Sequence, residues 1–336
     1  MPLPEKALIA RIARRAQAYG HISRFRRSDT IQTVGVHSRV AGLLHGIGDD
    51  CAVLRLPAGH EALLTTDFSL EGAHFRREWH PAESVGHRCL ARGLSDIAAM
   101  GGKPVAAFLS LALPEGLPQK WVDGFMRGFL ALAGKFGVPL AGGDIAQSPA
   151  GVLADIVMLG SVPKSSAVLR SGAQPGDSLY VTGELGGSAA LLSRLLAGSL
   201  KRPDPRRYPA HFFPTPRIAA GRALREGRLA AAMIDISDGL STDLGHICDE
   251  SGVGARIYAE KVPVAREAAN LSFALHGGED YELLFASRRK IPAKIGGVRV
   301  TRIGEVTSGR KIVLVEGSKE RDLPAKGWEH FGGEPG

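Results

Sequence analysis

The sequence predicts an α/β protein built from two domains with mixed sheets, and three observations carry that prediction. Apolar runs of strand length alternate with helical patterns, yet not as a simple βαβ repeat, which favours mixed sheets backed by helices. Acid-bearing turns recur where apolar runs stop, as at the carboxyl rim of an α/β sheet. A stretch punctuated by Pro163, Gly172, Pro175 and Gly176 divides the chain into an N-terminal domain, 1–162, and a C-terminal domain, 163–336. The composition, 44% hydrophobic and 23% charged over 336 residues, is that of a soluble globular protein with room for two cores.

Taken in order, residues 5–19 predict an amphipathic helix with Leu8, Ile9, Ile12 and Ala16 on one face and arginines on the other. The following segment to His45 is polar and arginine-rich, and is expected to stay mobile until ligand binds. Strands near 51–56 and 61–66 flank Pro57-Ala58-Gly59, predicting a hairpin that brings Asp50 and Asp67 toward one end. Residues 83–99 form a helix containing Ser95 and Asp96, stopped by Gly101, Gly102 and Pro104. A strand over 105–113 follows, then a helix over 118–136 whose Trp121, Phe125 and Phe129 recur at helical spacing and read as core. A strand and turn at 138–144 and a strand at 151–161 close the first half.

The second half starts with the strand Leu179–Thr182 and the turn Gly183–Ser188, which leads into a helix over 188–197. That turn reads either as a tight connection or as a cradle of backbone N–H groups for phosphate. A long loop spans 201–216, and Leu240, Leu244, Ile247 and Cys248 mark a further helix after Asp238-Gly239. A last Gly-Gly-acid turn, His276 to Glu282, precedes a strand.

The acids suggest one chemistry. Gly46-Ile47-Gly48-Asp49-Asp50, Thr65-Thr66-Asp67, Ser95-Asp96, Gly142-Gly143-Asp144 and Asp235-Ile236-Ser237-Asp238 each place carboxylates beside apolar segments. Paired acids repel one another unless a cation lies between them, and Mg²⁺ holding phosphate oxygens is the natural candidate. A helix N-cap needs one acid, so Asp235 and Asp238 around Ser237 exceed what capping requires. No Ser-His-Asp or Cys-His nucleophile is evident. The late Trp328 either pins the C-terminus or covers a heteroaromatic ligand, and His74 follows a small residue in a loop that faces a pocket in the functional reading.

Charge and cysteine usage narrow the partners. The net charge of +8 and pI of about 9.6 fit a small polyanionic substrate. Nucleic acid is disfavoured, because Arg11, Arg14, Arg15, Arg24, Arg26 and Arg27 lack interleaved stacking aromatics. Cys51, Cys89 and Cys248 show neither disulfide nor zinc spacing, so a reducing cytoplasm is expected. No apolar run reaches membrane-spanning length.

The blocks GIGDDCAVL, LLTTDFSLEGAHF, LARGLSDIAAMGGKP, LAGGDIAQS, LRSGAQPGDSLYVTGELGGSAA, MIDISDGLSTDL, LHGGEDYELLF and KGWEHF, from about residue 46 to 331, together resemble the thiamine-monophosphate kinase family. That family lies within the superfamily of aminoimidazole-ribonucleotide-synthetase-like ATP enzymes. The resemblance implies phosphorylation of thiamine monophosphate by ATP, with several Mg²⁺ ions and no residue acting as general base. By position it implies Mg²⁺ ligands at Asp50, Thr65, Thr66, Asp67, Asp96, Asp144, Asp235 and Asp238, with Asp67, Asp96 and Asp238 the most critical. It implies ATP contacts at Gly143, Asp144, Arg170 and Ser237, and substrate contacts at His74, Glu279 and Trp328. It also implies a homodimer formed through the N-terminal sheet. The segment before Gly46 is longer and more basic than the family pattern, and the stretch from Val264 to His276 is short. The alternatives are a related ATP-dependent synthetase acting on another phosphorylated small molecule, and a non-catalytic Mg-ATP sensor.

Overall fold

The computed structural model describes residues 1–18, 42–48 and 50–328. The reading of 20–45 as mobile, together with Asp49 and the last three residues of the Gly327–Phe331 block, falls largely or wholly outside those residues. The chain divides into two units: residues 1–97 with 103–165, and residues 98–102 with 166–336.

The first unit contains α1 (Glu5–Ala18), β1 (Leu43–His45), β2 (Val53–Leu54), β3 (His60–Leu70), α2 (Ala82–Ala99), β4 (Lys103–Pro114), α3 (Gln119–Phe136), β5 (Leu140–Ser148) and β6 (Leu153–Pro163). Leu8, Ile12 and Ala16 of α1 are buried as the periodicity requires, whereas Ile9 is exposed. Arg11 and Arg15 of the same helix both reach Asp123 of α3, which uses two of the arginines that gave the N-terminus its basic character. Phe125 and Phe129 are fully buried and stack in series with Trp121, so the aromatic repeat of α3 is core.

A four-stranded mixed sheet runs in the order β3-β6-β4-β5, with only β4 and β5 parallel. The predicted hairpin between 51–56 and 61–66 does not form. β2 pairs with β1, and β3 pairs along its whole length with β6, some ninety residues away, through an eleven-residue register. β3 also continues through Thr65-Thr66-Asp67, and β5 through Gly142-Gly143-Asp144, so these acids lie within strands and not at their ends. On β3 the alternation turns Thr65 and Asp67 toward α2 and leaves Leu64, Thr66 and Phe68 on the exposed face. Gly143 has φ of 146° and a Cβ there would sit 1.8 Å from the Leu109 carbonyl oxygen, so close approach of β5 to β4 alone requires glycine.

The second unit contains β7 (Ser178–Thr182), α4 (Gly187–Leu196), α5 (Pro209–Phe212), α6 (Ile218–Glu226), β8 (Ala232–Asp235), α7 (Leu240–Ser251), β9 (Gly254–Tyr258), α8 (Leu271–His276), β10 (Leu283–Ser287), β11 (Lys294–Ile295), β12 (Val298–Thr307), β13 (Ile312–Glu316) and β14 (Lys319–Asp322). Its sheet runs β14-β13-β9-β12-β7-β10-β8, with β11 attached to β12. The β13–β9 pair is parallel, so this sheet is mixed as well. Leu240, Leu244, Ile247 and Cys248 of α7 bury against Leu179, Val181, Ile234 and Leu284 of the central strands. This packing fixes the chain leaving β8 and entering α7, where the turn carries Asp235 and Asp238.

Candidate active site

In the first unit the alternation of β3 sorts the candidate residues onto two faces. Thr65 and Asp67 share the face that meets α2, where the Thr65 hydroxyl donates to Asp96. Arg92, one turn before Asp96 on the same helix, reaches Asp67 Oδ1 at 3.4 Å and the Phe68 carbonyl at 3.1 Å. Thr66 projects from the opposite face, and its hydroxyl donates to Asp155 at 2.8 Å. Asp155 stands opposite Ser110, which stands opposite Asp144, so Asp144 belongs by register to that second face. The structure therefore joins Thr65, Asp67, Arg92 and Asp96 in one group and aligns Thr66, Asp155 and Asp144 in another. Asp50 is exposed in the segment after β1.

His74 is held by its own turn. Its Nδ1 accepts the Leu70 N–H at 3.0 Å, which leaves Nε2 as the nitrogen that carries the ring proton, and its carbonyl accepts from Arg88 at 3.2 Å. Ser69, His74, Arg88 and Arg92 line a cavity of about 10 Å³, so His74 and the Asp67 contact Arg92 border the same small space.

In the second unit β8 ends at the buried Asp235, and the chain turns through Ile236, Ser237, Asp238 and Gly239 before α7 begins. The N–H groups of Ser237, Asp238 and Gly239 all donate to Asp243 Oδ2, at 3.1, 3.2 and 3.0 Å. Asp243 therefore does the capping that a carboxylate in this turn would otherwise do, and Asp238 is not the cap. Burial, followed by the nearby Asp238 charge, pushes the Asp243 carboxyl up to about 7 against the pull of those three donors. Asp238, Asp243 and His246 offer donor atoms that all lie within 4.8 Å of one another.

Two distant segments close on this turn. The Glu279 N–H donates to the Ser237 carbonyl at 2.7 Å, and the Trp328 N–H to the Asp238 carbonyl at 3.0 Å. Ser237, Asp238, Glu279 and Trp328 are thus neighbours along the backbone, and Trp328 is 52% exposed. Glu279 and Tyr281 both adopt positive φ, 65° and 51°, a conformation that costs a non-glycine residue about 1–2 kcal/mol. The residues between and after them are anchored. Asp280, almost wholly buried, accepts the Gly186 N–H at 2.8 Å, and burial drives its carboxyl well above the ordinary range. Glu282 accepts two bonds from the Arg217 guanidinium and one from the Thr182 hydroxyl at 2.5 Å.

This anchoring overturns one sequence reading. The N–H groups of the Gly183–Ser188 turn do not form an open phosphate cradle, because Asp280 accepts from Gly186 and Ser188. Arg170 is exposed, and its carbonyl accepts from Ser251 at 3.2 Å. Arg92, Asp155, Asp243 and the Arg217–Glu282 pair were not singled out by sequence. Only Asp243 left a usable signal, an acid four residues into the chain after a glycine turn whose N–H groups need an acceptor.

The chain matches the AIR synthase related protein N-terminal domain over residues 48–162 and the corresponding C-terminal domain over 174–320. It is 38% identical to thiamine-monophosphate kinase of Salmonella typhimurium over 303 residues, covering 85% of this chain and 91% of that protein. It is 31% identical to the Bacillus subtilis thiamine-monophosphate kinase, with 88% of this chain and 98% of that one covered. Among solved structures, thiamine-monophosphate kinase from Stenotrophomonas maltophilia superposes with a TM-score of 0.77 at 33% identity, over 94% of this chain and 97% of the other. AaThiL complexed with AMPPCP and TMP superposes at 0.73 and 33% identity, over 82% and 89% of the two chains. The hydrogenase maturation protein HypE in complex with ATP, at 18% identity and a TM-score of 0.69, shares the fold. Two matched domains and relatives aligned over nearly their whole length lead to one conclusion: the chain belongs to the thiamine-monophosphate kinase family of AIR synthase related proteins.

Proposed function

We propose that the chain transfers the γ-phosphoryl group of ATP to thiamine monophosphate, giving thiamine diphosphate and ADP by direct in-line attack. The observation that carries this reading is the closure of Glu279 and Trp328 onto the Ser237-Asp238 turn, which gathers residues of the implied substrate, nucleotide and metal sets. The relatives named thiamine-monophosphate kinase, and the AaThiL complex with AMPPCP and TMP, support the same pair of substrates.

The donor set fits Mg²⁺. Carboxylate oxygens are the hard ligands that this ion prefers, and the Asp238 charge, which after burial is the next cause that raises Asp243, is the kind of repulsion a cation relieves. In the second unit Asp235 and Asp238 would hold the ion. In the first, Asp67 and Asp96 with the Thr65 hydroxyl would do so on the face toward α2, Thr66 and Asp144 would serve on the opposite face, and Asp50 is a further carboxylate. Bound Mg²⁺ would neutralise the phosphate oxygens and stabilise charge on the transferring group.

The chain's own residues orient and exclude. An attacking phosphate oxygen is already anionic, so no side chain needs to remove a proton. Trp328 lays its exposed ring over the heteroaromatic part of the substrate, while Glu279 and the Nε2–H of His74 contact its polar groups. Gly143, Asp144, Arg170 and Ser237 contact ATP. Leu64 and Phe68, 72% and 53% exposed on the open face of β3, support a homodimer in which a second copy covers that face. Buried Cys89 and Cys248, whose thiols burial pushes up to about 12, suit a cytoplasmic enzyme without disulfides. Among the described residues no helix is long and apolar enough to cross a membrane.

The test is ADP release from ATP and Mg²⁺ with and without thiamine monophosphate, with the thiamine product identified by chromatography. Thiamine diphosphate formed one for one with ADP is expected. ADP release that ignores thiamine monophosphate, or tight ATP binding with no turnover, would overturn the assignment.

A further inference from the structure

A second cleft of about 400 Å³ opens in the C-terminal unit between α8 and the β13–β14 hairpin, and none of its lining residues belongs to the sets assigned to phosphoryl transfer. α8 turns Ala274 into the core, while Asn270, Leu271, Ser272, Leu275 and His276 border the cleft. The other wall carries Glu316, Arg321 and Lys326.

The charges on this wall do not cancel. Glu316 pairs with the Arg321 guanidinium at 3.1 Å, whereas the Lys326 side chain makes no ion pair or hydrogen bond among the described residues. His276 bonds Ser241 Oγ through Nδ1 at 2.9 Å, which fixes its ring at the inner end of the cleft. Burial, then Lys326 and Arg321, disfavours the imidazolium form, so both cations act on the space the ring occupies. A cleft of this size with a few convergent polar groups falls in the range of small-molecule sites. Neutral hydrogen-bonding groups on one wall and cations on the other are the arrangement that receives a phosphate or a phosphomonoester.

We propose that this cleft is a binding site for a small phosphate-bearing molecule, held by Lys326 and Arg321 against Asn270 and Ser272 and sensed by His276. The site does not rest on the proposed kinase activity. It does adjoin the catalytic turn from behind, because Ser241 lies in the first turn of α7, immediately after Gly239.

Inorganic phosphate is the probe, titrated into the intact protein in the presence of a chelator, with the histidine ring signals followed by NMR. The His276 signal is assigned by its loss in His276→Gln. Saturable movement of that signal toward the imidazolium position is expected. Arg321→Gln and Lys326→Gln, both at exposed positions that leave the core intact, should each weaken the apparent affinity about tenfold, as loss of one charge-assisted hydrogen bond does. A His276 signal that does not move, that moves equally with sodium chloride at matched ionic strength, or that moves unchanged in both variants would overturn the proposal.

Discussion

Gly183→Ala isolates the scaffold that holds the Glu279–Glu282 loop. Gly183 has φ of 59°, and a Cβ added there would lie 2.0 Å from Glu282 Oε1. Two costs follow. The left-handed backbone costs alanine about 1 kcal/mol relative to glycine. The Glu282 carboxylate must also retreat from the Arg217 guanidinium and the Thr182 hydroxyl, and breaking such a buried pair costs about 3–5 kcal/mol, with the lower end apt because Arg217 is a quarter exposed. The sum is about 4 kcal/mol, which for a unit of this size lowers Tm by roughly 8–16 °C. Gly198→Ala is the control, since Gly198 has φ of 66° and open space around its Cβ, so only the backbone cost of about 1 kcal/mol remains. Urea denaturation of both variants measures the difference. Equal losses in the two would refute the argument that Glu282 is the obstacle.

Asp67→Asn and Asp238→Asn should each reduce kcat severely, because each removes a metal-binding charge; turnover preserved at limiting Mg²⁺ would contradict their placement. Trp328→Ala should raise KM for thiamine monophosphate more than KM for ATP, and equal rises would make the ring a packing element. Asp280 has a folded-state pKa raised above its unfolded value, so its contribution to stability is fully present below about pH 4 and is lost as pH rises through the folded pKa. Wild-type protein should therefore lose stability relative to Asp280→Asn as pH rises, and a gap independent of pH between 5 and 8 would exclude that account. Glu279→Gly should be more stable than Glu279→Ala by about 1 kcal/mol, the backbone cost of positive φ; a more stable alanine variant would show that the loop holds no strain.

What the sequence revealed depended on the range of the interaction. The core role of Trp121, Phe125 and Phe129 was legible because a 3.6-residue period is local. The partner of β3 was not, because its register with β6 joins residues about ninety apart and leaves no mark in either segment alone. The same blindness hid Asp155, which sits in an apolar run and shows its purpose only when β6 places it beside Thr66. Polar residues at 65–67 and 142–144 looked like strand ends because turns and open strand faces favour the same residue types. Asp235 and Asp238 were recognised as more than caps, yet the acid that does cap, Asp243, passed as an ordinary polar position of α7.

The acids of the C-terminal unit serve two purposes, and burial with its hydrogen bonds separates them. Asp243 ties the Ser237–Gly239 turn to α7, Asp280 ties the Glu279–Glu282 loop to the start of α4, and Glu282 ties that loop to α6 and β7. Asp280 and Glu282 alternate with residues in costly conformations: Glu279 and Tyr281 stay at positive φ because the residues beside them are held by their partners. A loop held this way presents Glu279 and the Ser237 carbonyl at a fixed spacing before any substrate arrives. That ordering cost is then met by folding and not by any later binding.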